Sequence, residues 1–492
     1  MKNFRKWDLA KTPPLLRCAA VSVLSFALLL AFAGVGVAAP EEVLVLFSSA
    51  PPGGLSARQS ARSLEQALEA QRVPGQVREI FPYLNGVRMT LDSASRGRLA
   101  RHPDVAVVVS SRLGFETASR PRRHPLREVP WHVQWARNAR VAEGLTPDAW
   151  KPVCVVLLDT GLFPHPDFAA ASVHWELALD AFSGTRGKEA VRDLFGHGTA
   201  VAGVLGGAAT GIVPEVGLLP VRSASDQGRM EVAQIAAAVD YVLALAAPGN
   251  PLEGKKLLFN FSYTSAPSDG PQEDYAAFLR ALLERLAASD ALFVAAAGNH
   301  HCDADEFHVY PACLAALNLV SCAATNDAGT LEAFSNFGRL SVEVGAPGNA
   351  MVTTASFGRG YVTGDGTSFS TPVVAGIAAA LWARFPDLTA WQVRNVLLNA
   401  TDAPLWMRAV GPFVPTETLA VLAGGALRPE RAGDPAFVDA AKGHQPAALS
   451  PSPATGGSSG GGSGGCAMGS PGPLFALSLF LPLAINVGRP RR

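Results

Sequence analysis

Short apolar runs alternate with helical patterns between residues 131 and 425. The runs have the length of strands and lie at 153–158, 216–221, 257–261, 292–296 and 317–323. Between them, residues 232–246 and 275–288 repeat their apolar side chains at helical spacing. Strands that are largely apolar are buried on both faces of a sheet. The pattern therefore predicts a three-layer α/β/α domain with a mostly parallel sheet over residues 131–425.

A smaller pattern occupies residues 40–119. It predicts strands at 43–47 and 105–110, two strands within 77–91 around Asn85-Gly86, and helices at 55–70 and 93–102. This β-α-β-β-α-β order predicts a small ferredoxin-like α+β domain. The basic, proline-bearing stretch 120–130 that follows is predicted to be an exposed linker.

The two ends of the chain predict sorting segments. Residues 1–39 combine a basic start with an apolar run and end in Val37-Ala38-Ala39, which is typical of a secretory signal cleaved near Ala39. An uncleaved N-terminal anchor is the alternative. Residues 426–465 are rich in Pro, Gly and Ser and predict a flexible linker. Residues 466–492 combine an apolar stretch with terminal arginines and predict a sorting or membrane-anchor segment, the alternative being a disordered end with an incidental apolar patch.

Charge and cysteines narrow the function further. The 492 residues carry 41 basic and 41 acidic side chains, so no bulk field favours nucleic acid. Export permits disulfides among the six cysteines. Cys302 and Cys313 bracket a short polar loop and are predicted to pair. Cys154 and Cys322 lie within strand-like runs and are predicted to be buried free thiols.

The strongest chemical signal is the segment from Gly366 to Pro372, Gly-Thr-Ser-Phe-Ser-Thr-Pro. Ser368 stands between a glycine-bearing loop and a helical run at 373–384, and Pro372 suits the first turn of that helix. Unpaired N–H groups at a helix start can face an oxyanion, so Ser368 is the candidate nucleophile. Ser370 is the alternative, and either serine by itself could be no more than a helix cap.

Two further motifs supply the partners that a serine nucleophile needs. Asp159 ends the strand at 153–158, where ligand crevices form in open parallel sheets, although an Asx turn with Thr160 would also place it there. His197 precedes Gly-Thr and a helical run, where a histidine can equally have no special role. Taken together, the motifs provide a carboxylate, an imidazole and a hydroxyl, as acyl transfer requires.

The three blocks resemble those of the subtilisin-like serine proteases, the subtilases. They read Asp-Thr-Gly from Asp159, His-Gly-Thr-Ala-Val-Ala-Gly from His197 and Gly-Thr-Ser-Phe-Ser-Thr-Pro-Val-Val-Ala-Gly from Gly366. The resemblance implies a subtilisin-like α/β fold in which Asp159 orients, His197 is the general base and Ser368 attacks the substrate carbonyl. A fourth block, Ala-Ala-Ala-Gly-Asn, ends in Asn299 and by the same resemblance supplies an oxyanion donor.

The resemblance also assigns substrate-binding residues: Ser262, Tyr263, Thr264, Ala296, Gly298 and Thr367. Tyr263 and Thr264 depart from the family's usual Ser-Leu-Gly or Ser-Trp-Gly, which is expected to reshape the first specificity pocket. Residues 223–228 are expected to form the opposite edge strand. No cofactor is required and no metal ligands are assigned; structural calcium is allowed, but Asp167 matches a family ligand without its usual partners, and the loop at 206–211 lacks acidic ligands.

By position and pattern the N-terminal domain is similar to the inhibitory propeptide of secreted subtilases, the alternative being an unrelated stabilising domain. The sequence thus predicts a zymogen of a secreted or cell-envelope endopeptidase. It would act on polypeptide substrates and be inhibited by its own propeptide, and its C-terminal tail allows contact with a membrane. The alternatives are a pseudoprotease or peptide-binding envelope protein, which loss of a triad residue would favour. An α/β-hydrolase esterase is disfavoured because Ser370 breaks the Gly-x-Ser-x-Gly pattern.

Overall fold

The N-terminal residues form a four-stranded antiparallel sheet in the order β2-β3-β1-β4. Its elements are β1 (Glu41–Phe47), β2 (Gly75–Phe81), β3 (Gly86–Leu91), α1 (Ser93–Leu99) and β4 (Val105–Ser110). Asn85 adopts a positive φ of 51° in the turn between β2 and β3, as the Asn-Gly pair predicts. The four predicted strands and the second predicted helix are therefore present.

The computed structural model describes residues 40–48, 75–102, 105–117, 122–168, 173–265, 272–358 and 360–401, together with Pro435 and Val438. The signal peptide expected at 1–39, the helix expected at 55–70, the linker at 426–465 and the tail at 466–492 fall largely or wholly outside these residues. The stretch at 120–130, expected to be an exposed linker, contains a short strand, β6 (Arg122–His124). It pairs antiparallel with residues Tyr361–Thr363 and forms the third strand of a small sheet.

Between β4 and β6 lies β5 (Gly114–Glu116), and two short helices, α2 (Trp131–Asn138) and α3 (Pro147–Trp150), precede the main sheet. The main domain then contains, in chain order, β7 (Val153–Asp159), β8 (Leu179–Asp180), α4 (His197–Gly206), β9 (Gly217–Arg222), β10 (Arg229–Glu231), α5 (Val232–Ala246), β11 (Lys256–Phe261), α6 (Gln272–Ala288), β12 (Leu292–Ala296), α7 (Ala304–Phe307), β13 (Leu319–Thr325), β14 (Val344–Pro347), β15 (Met351–Thr354), β16 (Tyr361–Gly364), α8 (Thr367–Arg384) and α9 (Ala390–Asn399).

Seven strands form one sheet in the order β14-β13-β12-β11-β7-β9-β8, with every neighbouring pair parallel. The five predicted strands of the main domain are all in it. Strand β7 shows why its sequence is apolar throughout: Val153, Val155 and Leu157 join the core on one face, and Cys154, Val156 and Leu158 join the core on the other. Because successive side chains point to opposite faces, a strand covered by helices on both sides has no polar position.

The chain order of the strands creates a crevice at the carboxyl end of β7. From β7 the chain continues to β8 and β9 on one side and then crosses to β11 on the other. Loops leaving neighbouring strands separate at such a switch point and leave room for a ligand. The last residue of β7 is Asp159.

Helix α8 begins earlier than the sequence indicates. It starts at Thr367, with Gly366 as its N-cap, so that Pro372 lies inside the helix rather than in its first turn. Proline has no N–H to donate to the carbonyl one turn earlier. That carbonyl belongs to Ser368, and it accepts a 2.8 Å hydrogen bond from the Ser262 hydroxyl instead.

Candidate active site

Asp159 ends strand β7 and is 1% exposed. Its Oδ1 accepts a 2.7 Å hydrogen bond from the Thr160 backbone N–H. The chain then turns at Gly161, whose φ of +114° and close approach to the Val191 carbonyl exclude a larger residue. The Asp-Thr-Gly block therefore fixes a buried carboxylate at the switch point of the sheet.

His197 is the first residue of α4 and is fully buried. Its Nδ1 lies 2.8 Å from Oδ1 and 3.0 Å from Oδ2 of Asp159. A carboxylate accepts hydrogen bonds, so Nδ1 carries the proton and Nε2 keeps its lone pair. Nε2 is buried and has no hydrogen-bond partner in the structure. An imidazole in this tautomer is prepared to accept a proton.

The turn before α4 is held by Asp193, a residue that the sequence analysis missed. Its buried carboxylate accepts hydrogen bonds from the N–H groups of Gly196 and Thr199 and from the Thr199 hydroxyl, at 2.7, 2.8 and 2.6 Å. Burial raises the pKa of Asp193, and these donors oppose the rise. An aspartate shortly before a helix start is a capping signal in sequence and could have been recognised as such.

Ser368 is the second residue of α8 and is 1% exposed. Its hydroxyl donates to the Ser262 carbonyl at 3.0 Å, and the Ser262 hydroxyl donates to the Ser368 carbonyl at 2.8 Å. The two serines thus hold each other through reciprocal bonds. The side chain following Ser262 is Tyr263, whose ring packs edge to face on the His197 imidazole at 5.6 Å between centroids. This connection brings Ser368 into the neighbourhood of the Asp159–His197 pair, with its hydroxyl turned to a carbonyl.

Ser370, the alternative nucleophile, faces a different part of the protein. It is fully buried, and its hydroxyl donates to the Ala346 carbonyl in β14 at 3.0 Å. Residues two apart on a helix point to nearly opposite sides. The geometry therefore favours Ser368 over Ser370.

Asn299 lies beside the start of α8. Its Oδ1 accepts a 2.8 Å hydrogen bond from the Thr367 backbone N–H, so the amide's Nδ2 points elsewhere. Nδ2 is buried and has no partner. The preceding Gly298 has a φ of +104°, and a side chain there would collide with Asn336. A free side-chain donor next to the N–H groups that begin a helix can stabilise an oxyanion.

Several predicted substrate-binding residues surround this point. Ala296 ends β12, and the Gly298 N–H donates to the Thr367 hydroxyl at 3.1 Å. Ser262 contacts Ser368 as described. These residues build the site through backbone groups and short side chains.

Tyr263, which was predicted to bind substrate, is fully buried, and its hydroxyl donates to Asp159 Oδ1 at 3.4 Å. The residue lies beyond the end of β11, where the alternation of a strand no longer fixes the direction of a side chain.

Thr264 pairs through its backbone with the N-terminal part of the chain. The Glu116 N–H donates to the Thr264 carbonyl at 2.9 Å, and the Thr264 N–H donates back at 3.3 Å. On its other side β5 pairs antiparallel with β10, so that an extended segment lies between two edges of the main domain. The opposite edge was predicted at residues 223–228, but these form the turn that leads into β10 at Arg229.

The predicted disulfide between Cys302 and Cys313 is not formed; both are free cysteines. They pack against different apolar clusters, Cys302 beside Ala304 and Val309 and Cys313 beside the core that includes Tyr310 and Leu314. The two cysteines are close in the sequence, but their side chains pack in different clusters and do not form a disulfide. Cys154 and Cys322 are buried free thiols, as predicted, and burial raises the pKa of Cys154 to about 12.

Asp167, which matches a calcium ligand of the family, is bonded within the protein. One oxygen accepts from the Ala209 N–H at 2.9 Å, and the other accepts from the Thr210 hydroxyl at 3.0 Å. Across the described ranges no group of three or more His, Cys, Asp or Glu side chains is arranged to hold a metal ion. Across the same ranges no helix has the length and apolarity needed to span a bilayer.

Comparison with known proteins agrees with this geometry. Residues 151–434 match the profile of the subtilase family, peptidase S8. The alkaline serine protease ver112 of Corniculantispora psalliotae is 28% identical over 312 residues, which cover 63% of this chain and 75% of the relative. The minor extracellular protease Epr of Bacillus subtilis is 26% identical over 334 residues, covering 65% of this chain and 46% of the relative, so the chain spans about half of that protein.

Among solved structures, the epidermin leader peptide processing serine protease from Staphylococcus aureus superposes with a TM-score of 0.59 at 18% identity. The match covers 80% of this chain and 98% of that one, and it supports the fold. The family match covers more than half of the chain and includes Asp159, His197, Asn299 and Ser368. The chain therefore belongs to the subtilase family of serine proteases.

Proposed function

We propose that the chain is a secreted or cell-envelope endopeptidase, made as a zymogen, that cleaves peptide bonds through an acyl-enzyme on Ser368. The observation that carries this proposal is a pair of buried, unpartnered nitrogens near the first turn of α8. One is Asn299 Nδ2, and the other is Nε2 of His197, whose ring centroid lies 6.3 Å from that of Phe369 in α8. A buried polar atom without a partner is costly unless a ligand uses it. Here one atom is a proton acceptor and the other an oxyanion donor.

The positions of Ser368, His197 and Asn299 suit acyl transfer through a serine. Rotation of the Ser368 side chain would move its hydroxyl from the Ser262 carbonyl to His197 Nε2. As Oγ bonds to the substrate carbonyl carbon, its proton passes to Nε2, and Asp159 stabilises the imidazolium that forms. Asn299 and the Ser368 N–H would receive the oxyanion. The C–N bond then breaks as Nε2 returns the proton to the leaving amine. Water next gives a proton to Nε2 as it attacks the acyl carbon, and the bond to Oγ breaks as Nε2 returns that proton to Ser368. No cofactor enters this sequence.

The N-terminal module, residues 40–117, is proposed to act as the inhibitory propeptide. Strand β5 lies between Thr264 and β10 as an extended peptide substrate would. Its Phe115 is fully buried and packs edge to face on Phe261 and Tyr275, at 5.5 and 5.2 Å between centroids. Because β5 pairs with these two edges of the main domain, the activating cut is proposed to lie beyond it, between residues 117 and 130.

A second contact ties the module to the main domain. The Asp240 carboxylate on α5 accepts hydrogen bonds from the N–H groups of Tyr83 and Leu84, at 2.6 and 2.9 Å. Both residues lie in the turn between β2 and β3. The module is therefore held at the groove and at a helix, which suits a domain that stays bound after its peptide bond is cut. Export is inferred from residues 1–39, and one relative carries "extracellular" in its name.

A catalytically weak, peptide-binding protein is the second candidate. It is favoured by one observation: the Ser368 hydroxyl donates to the Ser262 carbonyl, with no bond to His197. The two candidates differ in whether that hydroxyl can rotate and react.

Fluorophosphonate labelling separates them. Processed wild-type protein is expected to label at Ser368 and to cleave a peptide substrate. Ser368→Ala should neither label nor cleave. Ser370→Ala, the matched control on the same helix, should retain labelling and cleavage. A processed wild-type protein that neither labels nor cleaves peptides would end the protease proposal and leave the binding function.

A further inference from the structure

Tyr263 occupies an unusual place for its position in the sequence. The resemblance leads one to expect an aliphatic or indole side chain there, yet the structure has a fully buried phenol against the Asp159–His197 pair. The ring contacts the imidazole edge to face, and the hydroxyl reaches Asp159 Oδ1 at 3.4 Å. The phenol thus contacts both members of the pair, one through its ring and the other through its hydroxyl.

We infer that Tyr263 is a positioning residue that moderates the charge on Asp159 and thereby keeps His197 available as a base at lower pH. The inference rests on the proposed protease function. A hydroxyl that donates to a carboxylate draws negative charge toward itself. The carboxylate is then a weaker partner for an imidazolium, so His197 gives up its proton more readily.

The direction of this bond is fixed by burial. Burial raises the pKa of Tyr263 well above its usual value, and the charges of Asp159 and Asp193 raise it further. The phenol therefore stays protonated and acts as a donor. Oδ1 is also the atom that accepts from Thr160 and from His197, so the three donors compete for the same charge.

The charged and titratable groups around the pair come from separate elements. Asp159 ends β7, His197 begins α4, Tyr263 follows β11, and Asp193 lies in the loop before α4. The Asp193 carboxylate is already engaged by backbone N–H groups, and its charged form favours an imidazolium. Tyr263 has the opposite effect on the His197 imidazolium, because its hydroxyl reduces the negative charge on Asp159. Removing that hydroxyl leaves the effect of Asp193 without an opposing one.

The test compares two tyrosines. Tyr263→Phe keeps the ring and removes the hydroxyl. Tyr361→Phe is the matched control, because the Tyr361 hydroxyl also lies 3.4 Å from a carboxylate, that of Asp167. In full-length Ser368→Ala protein, the proton between His197 Nδ1 and Asp159 is observed by low-field NMR. With Tyr263→Phe this resonance should move downfield, because the carboxylate pulls the proton more strongly; with Tyr361→Phe it should stay.

Activity supplies the second readout. In processed active protein, Tyr263→Phe should move the acidic limb of the kcat/KM profile to higher pH by roughly half a unit. 3-Fluorotyrosine at position 263, a stronger donor, should move both the limb and the resonance in the other direction. A resonance that does not respond to Tyr263→Phe, or that responds equally to Tyr361→Phe, overturns the inference. Because the NMR measurement needs no turnover, it decides the matter even if the protein neither labels nor cleaves, the result that would end the protease proposal.

Discussion

The reciprocal bonds between Ser262 and Ser368 predict a specific rescue. Pro372 cannot donate to the Ser368 carbonyl, so the Ser262 hydroxyl does so at 2.8 Å. Ser262→Ala removes that donor and also the acceptor of the Asn260 amide at 3.0 Å. A buried carbonyl left unsatisfied costs about 1–3 kcal/mol, and one lost neutral hydrogen bond about 1 kcal/mol. Ser262→Ala should therefore lower the free energy of unfolding by about 2–4 kcal/mol.

Pro372→Ala supplies the missing donor, because alanine at that position carries an N–H one turn after Ser368. In otherwise wild-type protein this change should do little or destabilise slightly, since proline lowers the entropy of the unfolded chain by an amount worth about 0.4–1 kcal/mol. In the Ser262→Ala background the new N–H takes over the carbonyl. A favourable coupling of about 1–2 kcal/mol between the two changes is expected.

The assay is urea unfolding of the full-length Ser368→Ala protein, which avoids self-digestion. The midpoint should fall in Ser262→Ala and recover in part in Ser262→Ala/Pro372→Ala, with m unchanged. In active protein, kcat should follow the same order, because the carbonyl that is restored belongs to the nucleophile. If the changes in unfolding free energy of the two single variants add to that of the double variant within about 0.5 kcal/mol, the Ser262 hydroxyl is not what satisfies the Ser368 carbonyl.

Three further predictions concern the oxyanion donor and the N-terminal module. Asn299→Ala should lower kcat by about 10²–10³ while KM stays within a few-fold, because Nδ2 is used only in the transition state; equal losses in kcat and affinity, measured by steady-state kinetics, would argue against that role. Phe115→Ala empties a buried aromatic site, which costs about 3–5 kcal/mol, so the cut module should dissociate at least about 10²-fold more readily, as measured by inhibition of the processed enzyme. Burial raises the pKa of Asp240 to about 7 in the docked state, offset by the N–H groups of Leu84 and Tyr83, with Glu79 adding to the rise. Since the docked pKa is the higher one, docking should be strongest below about pH 4 and weaken as pH rises to about 7. Gel filtration of the cut protein should show this loss; Asp240→Asn, which keeps an acceptor but does not titrate, should abolish the pH dependence, and a persistent dependence would place the titration elsewhere.

The fold was largely readable from the sequence because burial on both faces leaves a strong mark. Alternate residues of β7 enter different cores, so the whole strand had to be apolar, and the run at 153–158 identified it within a residue. The same rule found the other four predicted strands of the sheet. The start of α8 was placed too late because proline is common in first turns, and only the structure shows that Ser262 compensates for its missing N–H.

The sequence predicted which residues form the candidate site, but it did not predict where all of their side chains point. Asp159 stands at the end of a parallel strand, and His197 and Ser368 stand at helix starts, as the pattern predicts. Each motif alone allowed a purely structural role, so it was the resemblance of the three blocks to those of the subtilases that joined them into one site. Tyr263 could not be oriented in this way, because it lies beyond Phe261, the last residue of β11, where strand alternation no longer fixes the direction of a side chain. The same holds for Cys302 and Cys313, which face different clusters despite their closeness in the chain.

The proposed mechanism requires the Ser368 hydroxyl to leave the Ser262 carbonyl and to carry an acyl group. Mixing processed protein with an activated peptide ester, quenching in acid and mapping the adduct by mass spectrometry tests it directly. One acyl group should be found on Ser368, absent from Ser368→Ala and retained in Ser370→Ala. An acyl group on any other residue, or none in a protein whose processing has been verified, would contradict this mechanism.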